Sequence, residues 1–109
     1  MKRLIITVAV LAISLITLFS TTKLSFAADG KSLYRQKLCQ TCHGAEGKRP
    51  IAPMYPKLNG QNATYLFNQM KDIKSGKRNN GLSMTMKPMV AAVGDRDMKA
   101  IADYLSKVK

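Results

Sequence analysis

Apolar positions along the chain change period several times, and each change marks an expected boundary. Leu4 to Phe19 is an almost unbroken apolar run, preceded by the basic Met1-Lys2-Arg3. From Asp29 the pattern becomes helical: Gly30, Leu33, Tyr34 and Leu38 share one face, while Lys31, Arg35 and Lys37 lie off it. The spacing predicts a helix over Asp29–Leu38, with the Asp29 side chain as its N-cap. Gly44 to Gly60 is rich in glycine and proline, and Pro50, Pro53 and Pro56 predict a stiff, extended loop. A second helix is expected over Asn62–Ser75, capped by Asn62, striped by Leu66, Met70 and Ile73, and stopped by Gly76. Gly76 to Gly81 reads as a polar surface loop. Leu82 to Gly94 has no clear period and is expected to be irregular. Asp95 to Lys107 is the last helix, with Met98, Ile101, Ala102, Leu105 and Val108 on its buried face. Its acidic start and basic end both suit the helix dipole. No segment alternates as a strand would, so the chain reads as all-α.

The first apolar run is shorter than the ~20 residues a membrane-spanning helix needs. Ser25-Phe26-Ala27 has the small-x-small form of a signal-peptidase site, so residues 1–27 are expected to be a cleaved leader. Residues 28–109 then form one small domain, short for a self-sufficient hydrophobic core. The chain has 18 basic and 6 acidic residues; without the leader 15 basic residues remain, a net charge near +9. Such a surface suits an acidic protein partner or an anionic membrane. Nucleic acid is excluded as a partner by export and by the lack of a binding motif.

Both cysteines and the single histidine fall in Cys39-Gln40-Thr41-Cys42-His43. Cys-x-x-Cys-His is the pattern of c-type haem attachment. On a helical turn, residues three and four apart share a face, so Cys39 and Cys42 can bond the two vinyl groups at one porphyrin edge. His43 then faces the iron as an axial ligand. A zinc site needs a fourth good ligand, and no further Cys or His exists. A thioredoxin-type pair needs a βαβ frame, which the pattern lacks. A disulfide across two intervening residues gains little stability. A ligating His usually donates its other ring N–H to a backbone carbonyl, and one of the three prolines is placed to supply it. For the opposite face of the iron, a methionine thioether is the natural protein ligand, with Lys or water remaining. Met70 and Met98 sit on helix stripes and read as core. Met54 lies among the prolines just after His43. Met84, Met86 and Met89 remain as candidates.

Taken with Ala52-Pro53-Met54-Tyr55-Pro56-Lys57-Leu58-Asn59-Gly60-Gln61, Tyr65-Leu66, Gln69-Met70, Met86-Lys87-Pro88-Met89, Val93-Gly94-Asp95 and Ile101-Ala102-Asp103-Tyr104-Leu105, the motif makes the chain similar to class I c-type cytochromes. It most resembles the small bacterial monohaem proteins and one half of the tandem dihaem ones. The resemblance implies a class I cytochrome c fold, three to four short helices around one covalently bound haem, with the first and last helices crossing. It implies Cys39 and Cys42 as thioether residues, and His43 and Met86 as axial iron ligands. Met89 becomes a haem-packing neighbour, Met84 the reserve ligand, and Pro53 the residue whose carbonyl holds His43. Two departures stand out: Gly94 replaces a capping Ser, and the first helix carries an extra residue before Cys39.

The resulting expectation is a monomeric periplasmic electron carrier rather than an enzyme, meeting redox proteins with acidic docking surfaces and membranes only through partner complexes. Lys48, Arg49, Lys57, Lys74, Lys77, Arg78 and Lys87 are the expected positive collar around an exposed haem edge. The alternative role is the cytochrome subunit of an exported dehydrogenase complex. A haem enzyme or gas sensor would lack a distal histidine for acid–base work.

Overall fold

A computed structural model describes residues 29–109; the leader expected over 1–27 lies outside them. Five α-helices follow in order: α1 (Gly30–Gln36), α2 (Gln40–His43), α3 (Ala63–Ser75), α4 (Ser83–Ala91) and α5 (Asp95–Lys107). A 3-10 turn at Ala45–Gly47 follows α2, and no strand occurs among the described residues.

Helix α1 begins as its sequence predicts. One Asp29 carboxylate oxygen accepts the Ser32 backbone N–H at 2.9 Å and the other accepts the Ser32 hydroxyl at 3.1 Å. These bonds hold the Asp29 carboxyl below its ordinary pKa. The helix ends two residues earlier than expected. Leu38 turns left-handed (φ 61°), its N–H reaches Arg35 O at 3.0 Å, and the Cys39 N–H reaches Tyr34 O at 3.1 Å. This is the paired hydrogen-bond pattern of a Schellman C-cap, with leucine where glycine is usual. Leu38 is therefore 54% exposed rather than on the buried face. The turn breaks α1 and lets a fresh helical segment start after it.

Helix α3 follows expectation at both ends. Asn62 Oδ1 accepts the Tyr65 N–H at 3.0 Å, and Gly76 closes the helix at φ 83°. The polar loop after it is tied down: the Arg78 guanidinium donates to Gln69 Oε1 at 2.9 Å and its backbone N–H to Asp72 O at 2.9 Å.

The segment expected to be irregular instead forms α4, nine residues with Pro88 inside. Its period was hidden for a physical reason. Ser83 is buried while Met84 and Met89 are exposed, an inversion of the usual polar and apolar positions. Pro88 also removes one N–H from the ladder.

Helix α5 starts from Gly94, which has cap geometry and no capping side chain, and it carries Asp95 and Asp97 in its first turn. It packs against α1 and α3, and α3 packs against α4. Leu33, Tyr34, Leu66, Met70, Ile73, Val90, Val93, Met98, Ile101, Ala102 and Leu105 form the buried cluster. Val108, expected on that face, falls just past the end of α5 and is only half-buried. The α1–α5 contact depends on a missing side chain. A Cβ at Gly30 would run into the Ala100 carbonyl and stand 2.6 Å from Tyr104 Cβ.

Gly30→Ala should therefore force the first and last helices apart and cost about 2 kcal/mol, since overpacking a tight contact typically costs 1–3. Chemical denaturation of the haem-loaded protein checks this, and an unchanged midpoint would show that the helices do not need to touch there.

Candidate functional site

The two-residue spacing of the cysteines is set by the backbone of α2. The His43 N–H donates to Cys39 O at 3.0 Å, so the first cysteine sits one turn before the histidine. Both cysteines are free thiols, half-buried at the start of this helix. Burial pushes the Cys39 thiol up to about 11, with Cys42 beside it adding to the shift. At neutral pH that thiol stays protonated, unlike the activated thiolate of an exchange pair. Among the described residues no three His, Cys, Asp or Glu side chains converge as a metal cage. The zinc and thiol-exchange alternatives thus gain nothing from the structure.

His43 is 7% exposed, and its Nδ1 lies 2.9 Å from the carbonyl oxygen of Pro56. A carbonyl only accepts, so Nδ1 carries the proton and Nε2 keeps its lone pair for a metal. The resemblance assigned this role to Pro53, and the geometry corrects it to Pro56. The chain turns over Ala52–Tyr55, with the Tyr55 N–H on Ala52 O at 3.1 Å. Pro53 takes the second position of that turn, a favoured place for proline, and stays exposed. The strand of loop returns to the histidine only at Pro56. The Tyr55 ring also meets the His43 imidazole edge-on, 6.4 Å between centroids.

Gly44 makes the exit from the motif possible. Its φ of 77° and ψ of 175° suit glycine alone, and a Cβ there would strike the Arg49 carbonyl. The Gly44 carbonyl accepts the Tyr34 hydroxyl at 2.6 Å, a buried bond from α1 to the motif. Burial also keeps the Tyr34 phenol far above its ordinary pKa, so it remains a donor. Further along, the Ile51 N–H donates to Cys42 O at 3.1 Å, and the Leu58 N–H to Gly47 O at 2.8 Å. The loop is thus folded back on the motif. Sequence reasoning missed Tyr34, counted only as an apolar position. The available signal was that a buried tyrosine needs a partner for its hydroxyl.

The methionines separate by burial. Met70 and Met98 lie in the core, as expected. Met84, Met89 and Met54 are exposed, whereas Met86 is half-buried and packs against the core cluster. Ile51, Met54, Tyr65, Leu82, Met84 and Met89 leave substantial apolar surface uncovered. They come from the loop after His43, from the start of α3 and from α4 with its preceding residue. That surplus fits a large apolar group, and the free Nε2 together with two adjacent thiols fits an iron porphyrin bound through thioethers. Of the expected cationic collar, Lys48 pairs with Glu46 at 3.5 Å and Lys77 with Asp72 at 3.9 Å. Lys74 donates to Val93 O at 2.7 Å, and Arg78 is held by Gln69. Arg49, Lys57 and Lys87 have no ion pair among the described residues.

The family described as cytochrome c matches residues 27–109. The chain is 39% identical to cytochrome c4 of Pseudomonas aeruginosa over 101 residues, 91% of this chain and 48% of that one. It is 33% identical to cytochrome c-553 of Nitratidesulfovibrio vulgaris over 108 residues, 99% of this chain and all of that one (100%). It is 39% identical over 86 residues to a thiosulfate dehydrogenase electron acceptor of Stutzerimonas stutzeri, 72% of this chain and 38% of that protein. The chain spans about half the length of the cytochrome c4 it matches (48%).

Tyr34→Phe should remove the shorter of the two bonds to the Gly44 carbonyl, leaving only the Gly47 N–H at 3.2 Å, and cost about 1 kcal/mol. Thermal unfolding of the holoprotein measures it; a neutral result would mean that water replaces the hydroxyl.

Proposed function

Because the chain belongs to the cytochrome c family, whose haem c is held covalently with its iron, we propose that it is a periplasmic one-electron carrier with His43 and Met86 as axial ligands. The contact between His43 Nδ1 and the Pro56 carbonyl carries this reading, because it fixes the tautomer that leaves Nε2 available. Haem c supplies reversible ferrous–ferric exchange when bound. Cys39 and Cys42 would hold it through thioethers, and the burial of His43 would keep water from competing for the imidazole. Met86, the half-buried candidate on α4, provides a soft thioether, a ligand that favours the reduced iron. The α4 end is steadied by Lys74, whose ammonium donates to Val93 O. With His43 and Met86 as the residues that would hold the iron, the bound group would supply one-electron exchange with a partner and would need no outside ligand. Met89 and Pro53 belong to the haem surroundings in this reading, as apolar cover rather than ligands.

Export is supported by the basic start, apolar run and Ser25-Phe26-Ala27 of the leader. The positive charge supports a protein partner with acidic docking groups. A second role, as the cytochrome partner of an exported dehydrogenase, is favoured by the likeness to a thiosulfate dehydrogenase electron acceptor. Stable co-purification with such an enzyme distinguishes it from a free shuttle.

Visible spectra of the purified protein test the ligand assignment. The oxidised form should show the weak far-red sulfur-to-iron band, and the dithionite-reduced form sharp low-spin c-type bands. Met86→Leu should abolish the far-red band while the haem stays covalently attached. Persistence of the band in that variant would move the ligand to Met84 or Met89. Electron transfer to a partner with an acidic surface should slow as ionic strength rises, because screening shortens the reach of the free lysines and arginines. A rate indifferent to salt removes the charge-guided part of the reading.

A further inference from the structure

A groove of about 260 Å³ lies where α1, the first residue of α2, the 3-10 turn and α5 meet. Tyr34, Ala45 and Tyr104 form its apolar side. Neither cysteine, nor His43, nor any of the exposed apolar side chains that suit a cofactor lines it, so it is not part of the haem surroundings. Its polar groups are Lys31, Arg35, Gln40 and Glu46, and the fold leaves two of them unexplained. Gln40 Oε1 is buried, yet no donor of the protein reaches it. A buried acceptor without a donor costs free energy that an apolar residue there would avoid. Glu46 has left-handed backbone angles (φ 57°, ψ 17°), a strained state for glutamate. Among the described residues its ion pair is a half-exposed contact with Lys48 at 3.5 Å, too weak to account for the strain. Lys31 and Arg35 are four residues apart on α1 and so share a face, and neither takes an ion pair among the described residues. The groups feel one another: burial and then the Glu46 carboxylate raise the Tyr104 phenol above its ordinary pKa, while Arg35 opposes them.

We propose that this groove binds a small zwitterion, an amino acid with an apolar side chain. The ammonium donates to Gln40 Oε1 and to the Glu46 carboxylate. The carboxylate accepts from Lys31 and Arg35, and the side chain lies against Ala45 and Tyr104. A simple anion would satisfy the two cations but bring a second acceptor toward Gln40 Oε1 and a like charge toward Glu46. A simple cation would match Glu46 and Gln40 but be repelled by Lys31 and Arg35. A molecule carrying both charges meets both demands. The groove is smaller than the about 300 Å³ at which sites for drug-sized ligands begin, which restricts the occupant to a short molecule. This site lies outside the carrier reading and does not depend on it.

Calorimetric titration of the holoprotein at neutral pH, with leucine, acetate and methylammonium as separate probes, tests the assignment. Leucine should bind saturably and shift the amide NMR signals of Arg35, Gln40, Glu46 and Tyr104. Acetate and methylammonium, each able to make half of the polar contacts, should bind about tenfold more weakly or worse. Glu46→Gln keeps the size of the side chain and should weaken leucine about tenfold, the scale of one charge-assisted hydrogen bond, while strengthening acetate. Arg35→Gln should weaken leucine to a similar degree and strengthen methylammonium. Unchanged haem bands and unfolding temperature in both variants separate loss of the site from loss of the fold. Absence of saturable leucine binding overturns the proposal, as does leucine binding that neither variant weakens. Acetate binding as tightly as leucine, and tighter still in Glu46→Gln, would overturn it in favour of an anion site. Binding to phosphatidylethanolamine vesicles without any to leucine would also overturn it, by assigning the groove to a lipid headgroup.

Discussion

An imidazole offers a metal the nitrogen that does not carry its proton, and in this protein the Pro56 carbonyl, 2.9 Å from His43 Nδ1, fixes which nitrogen that is. Much of the surrounding chain makes that contact possible. The carbonyl must come from a residue 13 positions later, so the loop between them has to fold back on α2. The fold-back begins at Gly44, where the backbone takes a conformation closed to other residues and passes close to Arg49. It continues with the Ile51 bond to Cys42 and the bonds of Leu58 and Asn59 to Gly47 O. It ends where the Gly60 N–H meets Leu105 O on the last helix at 2.9 Å. The tautomer of a single histidine is thereby coupled to the packing of α5.

The same loop explains how so short a chain defines a site. The buried cluster draws on α1, α3, α4 and α5, and α2 contributes no hydrophobic residue to it. Tyr34 is the link between the two parts: its ring lies in the core and its hydroxyl holds the Gly44 carbonyl. Core and motif therefore form one cooperative unit. Apolar side chains on the loop and on α4 are left facing outward from it. For a domain below about 100 residues burial alone gives marginal stability, so a large apolar group bound there would add the burial that those side chains lack.

Where the sequence was legible, each residue answered to one constraint. Asn62 and Gly76 bound α3 because each has a local backbone task. Leu66, Met70 and Ile73, and likewise Met98, Ile101 and Leu105, have the helical period because one face meets protein and the other meets water. The Cys-x-x-Cys-His motif was legible because its chemistry is confined to one turn. Legibility failed where a residue served two masters. Helix α4 buries Ser83 and leaves Met84 and Met89 exposed, and that inversion erases the period. The proline carbonyl depends on the path of the four-residue turn Ala52–Tyr55, and spacing could not separate Pro53 from Pro56. Leu38 reads as one more apolar position on α1, yet the backbone turns left-handed there and puts it outside.

The charge distribution follows the same logic of prior engagement. Counted along the sequence, the collar cations look equivalent, but a cation is free to steer a partner only if the fold has not already used it. Lys74 is held by a backbone carbonyl, Arg78 by Gln69, and Lys48 and Lys77 stand near carboxylates. The exposed pairs are weak individually, worth at most about 1 kcal/mol each. Even so, they reduce the local positive field where they stand. Arg35, Lys37, Arg49, Lys57 and Lys87 have no such carboxylate neighbour among the described residues. Arg35 and Lys37 precede the first cysteine, and Arg49 and Lys57 belong to the loop that clamps the histidine. These four therefore lie in the two segments that flank the motif in sequence, the same segments whose backbone geometry builds the site, while Arg96, Lys99 and Lys107 put further cations without an ion pair among the described residues on the last helix.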